Sequence, residues 1–208
     1  MYLPDIPSHV IQRGNNRTNC FFSEADYSYY LACLDDARQR YSVSVHAYVL
    51  MTNHVHLLMT PTGTCSISLV MQSIGRRYVQ YINKKYKRSG TLWEGRHINT
   101  SIQAENYLFT CYRYIEMNPV RAGIVDHPRH YPWSSYMHNV YEITNPLISE
   151  HPFYPGLGSD PESQRANYQE FFMSELDEKT LNKIRKAINF SIPLGNDSFR
   201  EEFGVGDK

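Results

Sequence analysis

The chain has 208 residues, with 21 basic and 21 acidic side chains, a length that suits one packed domain plus an extension better than two full domains. A neutral total excludes a global electrostatic pull toward nucleic acid or membrane, so any such footprint has to be local. Cys20, Cys33, Cys65 and Cys111 are too scattered for a zinc knuckle or a redox pair and read as reduced, mostly buried thiols. No apolar run approaches the roughly 20 residues that span a bilayer, and the start MYLPDIPSHVIQR lacks the basic and apolar regions of a secretory signal. The expectation is a soluble, cytoplasmic protein with no membrane partner.

In chain order, Ser8 to Arg13 reads as a strand that ends at the turn signal Gly14-Asn15-Asn16. Ser23, an N-cap with acidic residues just behind it, opens a helix to about Arg40, with Tyr27, Tyr30, Leu31 and Leu34 at helical spacing. Ser42 to Met51 and His54 to Thr60 are rich in β-branched and aromatic residues and are separated only by Thr52-Asn53, which predicts a hairpin. Pro61-Thr62-Gly63 ends it. Ser66 to about Lys87 carries Leu69, Val70, Ile74, Val79 and Ile82 on one side and a basic, polar face on the other, a long helix broken at Ser89-Gly90. A fourth strand fits Thr91 to Ile102, and a third helix fits Ala104 to about Met117, stopped by Asn118-Pro119.

This order, β-α-β-β-α-β-α, predicts an α+β, ferredoxin-like fold: an antiparallel sheet with helices packed on one face. From about Asp126 the chain turns rich in proline, glycine and serine, with helical stretches near Glu162 to Ser174 and Asp177 to Asn189. Two units are expected, residues 1–125 and an irregular C-terminal extension, 126–208.

The segment TNHVHLL, Thr52 to Leu58, sets two histidines one residue apart in an apolar run. Side chains two apart on a strand share a face, so His54 and His56 project together while Val55 and Leu57 face the other way. Two imidazoles aimed at one point are half of a metal site; on a solvated face they are merely polar. In the third helix Tyr107, Cys111, Tyr114 and Asn118 fall on one face at spacings of four, three and four. The amide oxygen of Asn118 suits a third ligand position beside two imidazoles, and a tyrosine one turn away would border the ion. A phenol is only about one part in a thousand ionised at pH 7, so as a nucleophile it needs a base or a metal nearby. Tyr107, Tyr112 and Tyr114 all remain candidates on spacing alone, and Glu116 points elsewhere.

Charge is concentrated where the total hides it. Between Arg76 and Arg96 stand Arg76, Arg77, Lys84, Lys85, Lys87, Arg88 and Arg96 against Glu94 alone, a local charge of +6, with Tyr78, Tyr81, Tyr86 and Trp93 interleaved. Basic residues tracking a backbone and aromatics stacking on bases are the pattern of a single-strand binder; a solvated helix with buried aromatics gives the same string. The loop Arg13-Gly14-Asn15-Asn16-Arg17 is a tight turn whose Arg13, Asn15, Asn16 and Arg17 suit base edges. Arg113 and Arg121 flank the tyrosine cluster, as phosphate ligands or as solvated arginines.

AYVLMTNHVHLLMTP (Ala47 to Pro61), GRRYVQYINKKYKRSGTLWEGRH (Gly75 to His97) and YRYIEMNPVRAGIV (Tyr112 to Val125), together with the early HVIQRGNNR (His9 to Arg17), resemble the REP-associated tyrosine transposases, relatives of the single-tyrosine HUH transposases. KIRKAINFSIPLGNDSF (Lys183 to Phe199) is similar to the C-terminal extension of some members. The resemblance implies metal-dependent cleavage and strand transfer of single-stranded or hairpin DNA through a 5′-phosphotyrosine. It implies His54, His56 and Asn118 as ligands of Mg²⁺ or Mn²⁺, Tyr114 as the nucleophile, and a monomer or homodimer. The rival class is a ferredoxin-like nucleic-acid-binding module without chemistry, which has no need for these four side chains to converge.

Overall fold

The computed structural model describes residues 2–62, 67–141 and 143–205; Cys65 and the expected helix start at Ser66 lie outside them. Four strands form, β1 (Ser8–Arg13), β2 (Val43–Met51), β3 (His54–Pro61) and β4 (Ile98–Ser101), in the antiparallel order β2-β3-β1-β4. The short turn at Thr52-Asn53 pairs β2 with β3 over nearly their whole length, and β1 pairs with β3 on one side and β4 on the other. That is the ferredoxin-like arrangement. The long fourth strand expected from Thr91 shrinks to four residues, because Leu92 and Trp93 turn into the core and only Trp93 bridges to Gly14.

Helices α1 (Glu24–Arg40) and α2 (Ile67–Lys85) pack on one face of the sheet, over Val10, Tyr48, Leu50, Val55, Leu57 and Met59. Helix α3 (Ala104–Glu116) packs on the opposite face, over Ile11, Ala47, Val49, Met51 and Leu58. Helices therefore cover both faces rather than one. A bulge at His46, between Val45 and Ala47, shifts β2 by one residue, so Val45 faces α1 and α2 while Ala47 faces α3.

α1 begins as the sequence indicates, with Ser23 and Asp26 forming a reciprocal capping box. Asn118-Pro119 does not end helical structure at α3. Proline is compatible with a first helical turn, where its missing N–H is not required, and the chain starts a further turn, α4 (Asn118–Arg121).

The remaining chain forms α5 (Tyr136–Val140), α6 (Pro161–Glu170), α7 (Glu178–Phe190) and α8 (Asp197–Glu202). Its aromatic and aliphatic residues, Tyr131, Tyr136, Tyr154, Tyr168, Leu181 and Ile184 among them, complete the core beneath α3. It also covers both sheet edges. Leu50 N–H donates to Trp133 O at 2.9 Å and Ser135 N–H to Tyr48 O at 3.0 Å on the β2 side, and Leu194 N–H donates to Ser101 O at 2.8 Å on the β4 side. Backbone groups that an open edge would expose are thereby paired.

Glu116 anchors this extension. Its carboxylate accepts from Ser135 Oγ at 2.5 Å, Asn139 Nδ2 at 2.7 Å and Tyr168 Oη at 2.8 Å, and it is fully buried. Burial pushes its pKa up to about 7, against the opposing pull of those three donors. A raised carboxyl pKa means the folded chain binds a proton that the unfolded chain has released, so stability falls as pH rises from about 4.5 toward 7. Glu116→Gln is expected to remove that slope. Other groups titrate equally in both proteins, so the measurement is the difference in unfolding free energy between variant and wild type at pH 5 and pH 8, with the variant gaining roughly 3 kcal/mol over the interval. A difference that stays constant with pH would place the titration elsewhere.

Among the described residues no helix is long and apolar enough to cross a membrane.

Candidate active site

The face of the sheet toward α3 carries three histidines. His54 and His56 share it by strand parity, as their spacing implies, and His9 joins them from β1, two residues before Ile11, the cross-strand partner of His56. His9 Nε2 lies 2.8 Å from His56 Nδ1, with the rings stacked at 5.0 Å. The ring of His54 stands edge-on to that of His56, also at 5.0 Å. His54 Nδ1 donates to Asn53 Oδ1 at 2.6 Å, leaving its Nε2 as the lone-pair nitrogen.

Burial holds all three imidazoles below the usual histidine range. His9 falls to about 3, through burial and then Arg121; His54 falls to about 4, through burial and then Arg13. His56 lies well below its ordinary value, pressed by burial and then by His9, His54, Arg121 and Arg13. Neutral imidazoles with lone pairs available are what a metal requires.

Tyr114 reaches the same place from α3. Its ring centroid is 6.2 Å from that of His56 and 5.8 Å from that of His9, edge-on to both. The Arg121 guanidinium lies over the Tyr114 ring at 4.3 Å, and its Nη2 donates to Tyr114 O at 2.6 Å. Asn118, folded back by the α3–α4 junction, donates Nδ2 to Tyr114 O at 3.0 Å and Ile115 O at 3.1 Å. With its amide nitrogen so engaged, the oxygen Oδ1 is the end left for a ligand.

The other two tyrosines are elsewhere. Tyr112 is buried edge-on to Tyr168 on the far side of α3, and the Tyr107 hydroxyl accepts from Lys183 of α7, whose ammonium also sits over the ring.

Among the described residues no group of three His, Cys, Asp and Glu side chains is placed to hold a metal.

The basic residues divide by location. Arg77 pairs with Asp36 at 2.8 Å and Lys85 with Asp26 at 2.6 Å. Burial would raise Asp26, but Lys85, the Phe22 N–H, Tyr86 and Tyr81 together hold its carboxyl below the usual range. Arg88 lies over the Phe22 ring at 5.6 Å, and Lys84 and Lys87 are exposed. These belong to the α1–α2 face, across the sheet from Tyr114. Tyr78 and Trp93 are buried in that core and cannot stack on bases; Tyr81 and Tyr86 spend their hydroxyls on Asp26.

Arg76 and Arg96 instead border an open groove beside Trp93, and Arg96 also lines the adjoining cleft with Arg13. Arg13 pairs across the sheet with His54. A basic path thus runs from α2 around the β4 edge to the histidines. The loop carrying Asn15, Asn16 and Arg17 ends beside it, because Gly14 N–H donates to Asn53 O at 2.8 Å and Asn53 Nδ2 to Arg17 O at 3.1 Å. Glycine is needed at position 14: a Cβ there would lie 2.2 Å from Thr18 O and 2.7 Å from Cys20 Sγ. Arg113 and Arg121 line a separate cavity whose lining includes none of the histidines.

A four-stranded ferredoxin-like sheet with a histidine pair facing a tyrosine defines a class, and residues 3–118, more than half of the chain, match the family described as IS200-like transposases. The chain belongs to that family and is, by family, a DNA transposase. Its fold is shared with a REP-associated tyrosine transposase solved bound to a REP hairpin, with a TM-score of 0.60 and 17% identity over 73% of this chain and 89% of that one. A putative transposase from Deinococcus radiodurans R1 is similar at 18% identity over 51% of this chain and 86% of that one, with a TM-score of 0.40. No curated protein matches the sequence.

Proposed function

We propose that this transposase cleaves and rejoins single-stranded DNA at hairpin sequences through a covalent 5′-phosphotyrosine on Tyr114. Residues 1–125 form the catalytic unit, and 126–208 form an extension that braces it. The observation that carries the reading is the convergence of Tyr114 with His9, His56 and Arg121 at the end of a helix whose next turn presents Asn118.

His54, His56 and Asn118 would hold Mg²⁺ or Mn²⁺, which when bound would supply Lewis-acid polarisation of the scissile phosphate and offset its charge. Arg121 and the edges of His9 and His56 fix the phenol ring. Tyr114 Oη attacks phosphorus in line with the leaving group: the new O–P bond forms, the P–O3′ bond breaks, the phenol proton is given up and the 3′ oxygen takes one. The ester conserves the bond, so a second 3′-OH displaces tyrosine without ATP. The single strand follows the basic path of Arg76, Arg96 and Arg13, and Asn15, Asn16 and Arg17 reach base edges beside His54. The hairpin substrate is inferred from the solved transposase of the same fold, which holds a REP hairpin.

The test is covalent capture: labelled single-stranded hairpin DNA from the region flanking the gene, incubated with Mn²⁺, Mg²⁺ or a chelator, and resolved on a denaturing gel. A metal-dependent protein–DNA adduct supports the reading. Tight, metal-independent binding with no adduct on any hairpin would leave a binding module.

A further inference from the structure

Residues of α3, α4 and α7 line a cavity of about 310 Å³ that Arg121 shares with the Tyr114 site. Three arginines line it, Arg113 from α3, Arg121 from α4 and Arg185 from α7, together with Glu175 and Glu178 on an otherwise apolar wall. The positive groups crowd one another: burial, and then the charges of Arg185 and Arg113, draw Arg121 below its usual value, partly countered by Tyr114. Arg113 is 8% exposed, and its Nη2 is buried with no hydrogen-bond partner among the described residues. Burial lowers its pKa too, and the charge of Glu175 opposes that shift.

Such an arrangement is costly as a purely structural cluster. A buried guanidinium N–H left unpaired loses its hydration without replacement, and the glutamates do not supply the missing bond. Arg185 meets Glu178 at 3.5 Å, with half its side chain still in solvent, and is free to turn to a stronger anion. A phosphodiester supplies what the pocket lacks: one negative charge and several acceptor oxygens within reach of forked guanidinium donors.

We propose that this cavity is a phosphodiester-binding subsite built jointly by the transposase fold and its C-terminal extension, in which Arg113, Arg121 and Arg185 take a backbone phosphate of the same strand that Tyr114 attacks. It rests on the reading of Tyr114 as the nucleophile for its place along the strand, but not for its charge. Arg121 links the two sites, since it contacts the Tyr114 ring and carbonyl while lining the cavity. The extension thereby contributes to substrate binding through α7.

Binding and chemistry are separable in the test. Wild type and variants are titrated with a labelled single-stranded hairpin oligonucleotide in chelator, where no cleavage occurs, over a range of salt. Arg185→Gln is expected to weaken binding about five- to tenfold near 0.1 M salt and to reduce the slope of log Kd against log salt by about 0.7, the signature of one lost phosphate contact on a single strand. Glu175→Gln combined with Glu178→Gln is expected to tighten it at least threefold. Lys186→Gln, which alters charge on the same helix outside the cavity, is the control. Equal weakening by Arg185→Gln and Lys186→Gln, or none by Arg185→Gln, overturns the subsite. If Arg185→Gln behaves as expected while wild type forms no adduct with metal, the subsite stands and the chemistry assigned to Tyr114 falls.

Discussion

Tyr114→Phe is expected to abolish the covalent adduct on hairpin DNA, a loss of at least about a thousandfold, while leaving DNA affinity in chelator within about twofold. Phenylalanine preserves the ring that packs edge-on to His9 and His56 and under the Arg121 guanidinium, so the site keeps its shape and loses only the oxygen. The alternatives fail on geometry. Tyr112 is enclosed against Tyr168, where a substrate has no access, and burial drives its hydroxyl far above the usual range. Tyr107 is engaged with Lys183. The checking measurement is the denaturing gel with Tyr114→Phe, Tyr107→Phe and wild type side by side. Adduct surviving in Tyr114→Phe but lost in Tyr107→Phe would move the nucleophile about two turns back along α3. Free cleaved strand without adduct in Tyr114→Phe would mean that water attacks instead.

What the sequence disclosed about this site is uneven for physical reasons. Strand parity is strict, so His54 and His56 could be assigned to one face from their spacing alone, and the four-residue step from Tyr114 to Asn118 survives even though a helix boundary falls between them. His9 was not readable. It lies 47 positions from His56, and only the register of β1 against β3 brings the two together; one residue of slip would send His9 to the α1–α2 face.

The placement of helices on both faces had a visible signal that the topology pattern masked. After the alternating start SVSVH, the run AYVLM (Ala47 to Met51) is apolar throughout, and a strand stretch without alternation is one covered on both sides. The extension's irregular composition likewise concealed its tyrosines, which fill the core under α3 and surround Glu116. The charge run on α2 was legible as charge, but whether a basic side chain is free or paired depends on α1, whose Asp36 takes Arg77 and whose Asp26 takes Lys85.

His9 has a role that its position makes testable. For His56 to offer Nε2 to a metal, its Nδ1 must carry the proton and donate it, and the acceptor at 2.8 Å is His9 Nε2. His9 accepts only while neutral, and its burial, at 1% exposure, keeps it so. The arrangement leaves His9 Nδ1 buried and without a hydrogen-bond partner among the described residues. Partners of this kind typically contribute about 10- to 100-fold in metal affinity. His9→Leu is therefore expected to raise the Mn²⁺ concentration for half-maximal adduct by about that factor, with most of the adduct recovered at saturating metal. His9→Gln, whose carbonyl oxygen is able to accept from His56, is expected to restore much of the difference. His56→Ala removes the ligand itself and should leave no adduct at any metal concentration, a loss of at least about a hundredfold. Mn²⁺ affinity measured directly by electron paramagnetic resonance, without DNA, separates the two effects. If His9→Leu lowers the adduct yield at every metal concentration while Mn²⁺ affinity is unchanged, His9 supports the Tyr114 ring rather than His56.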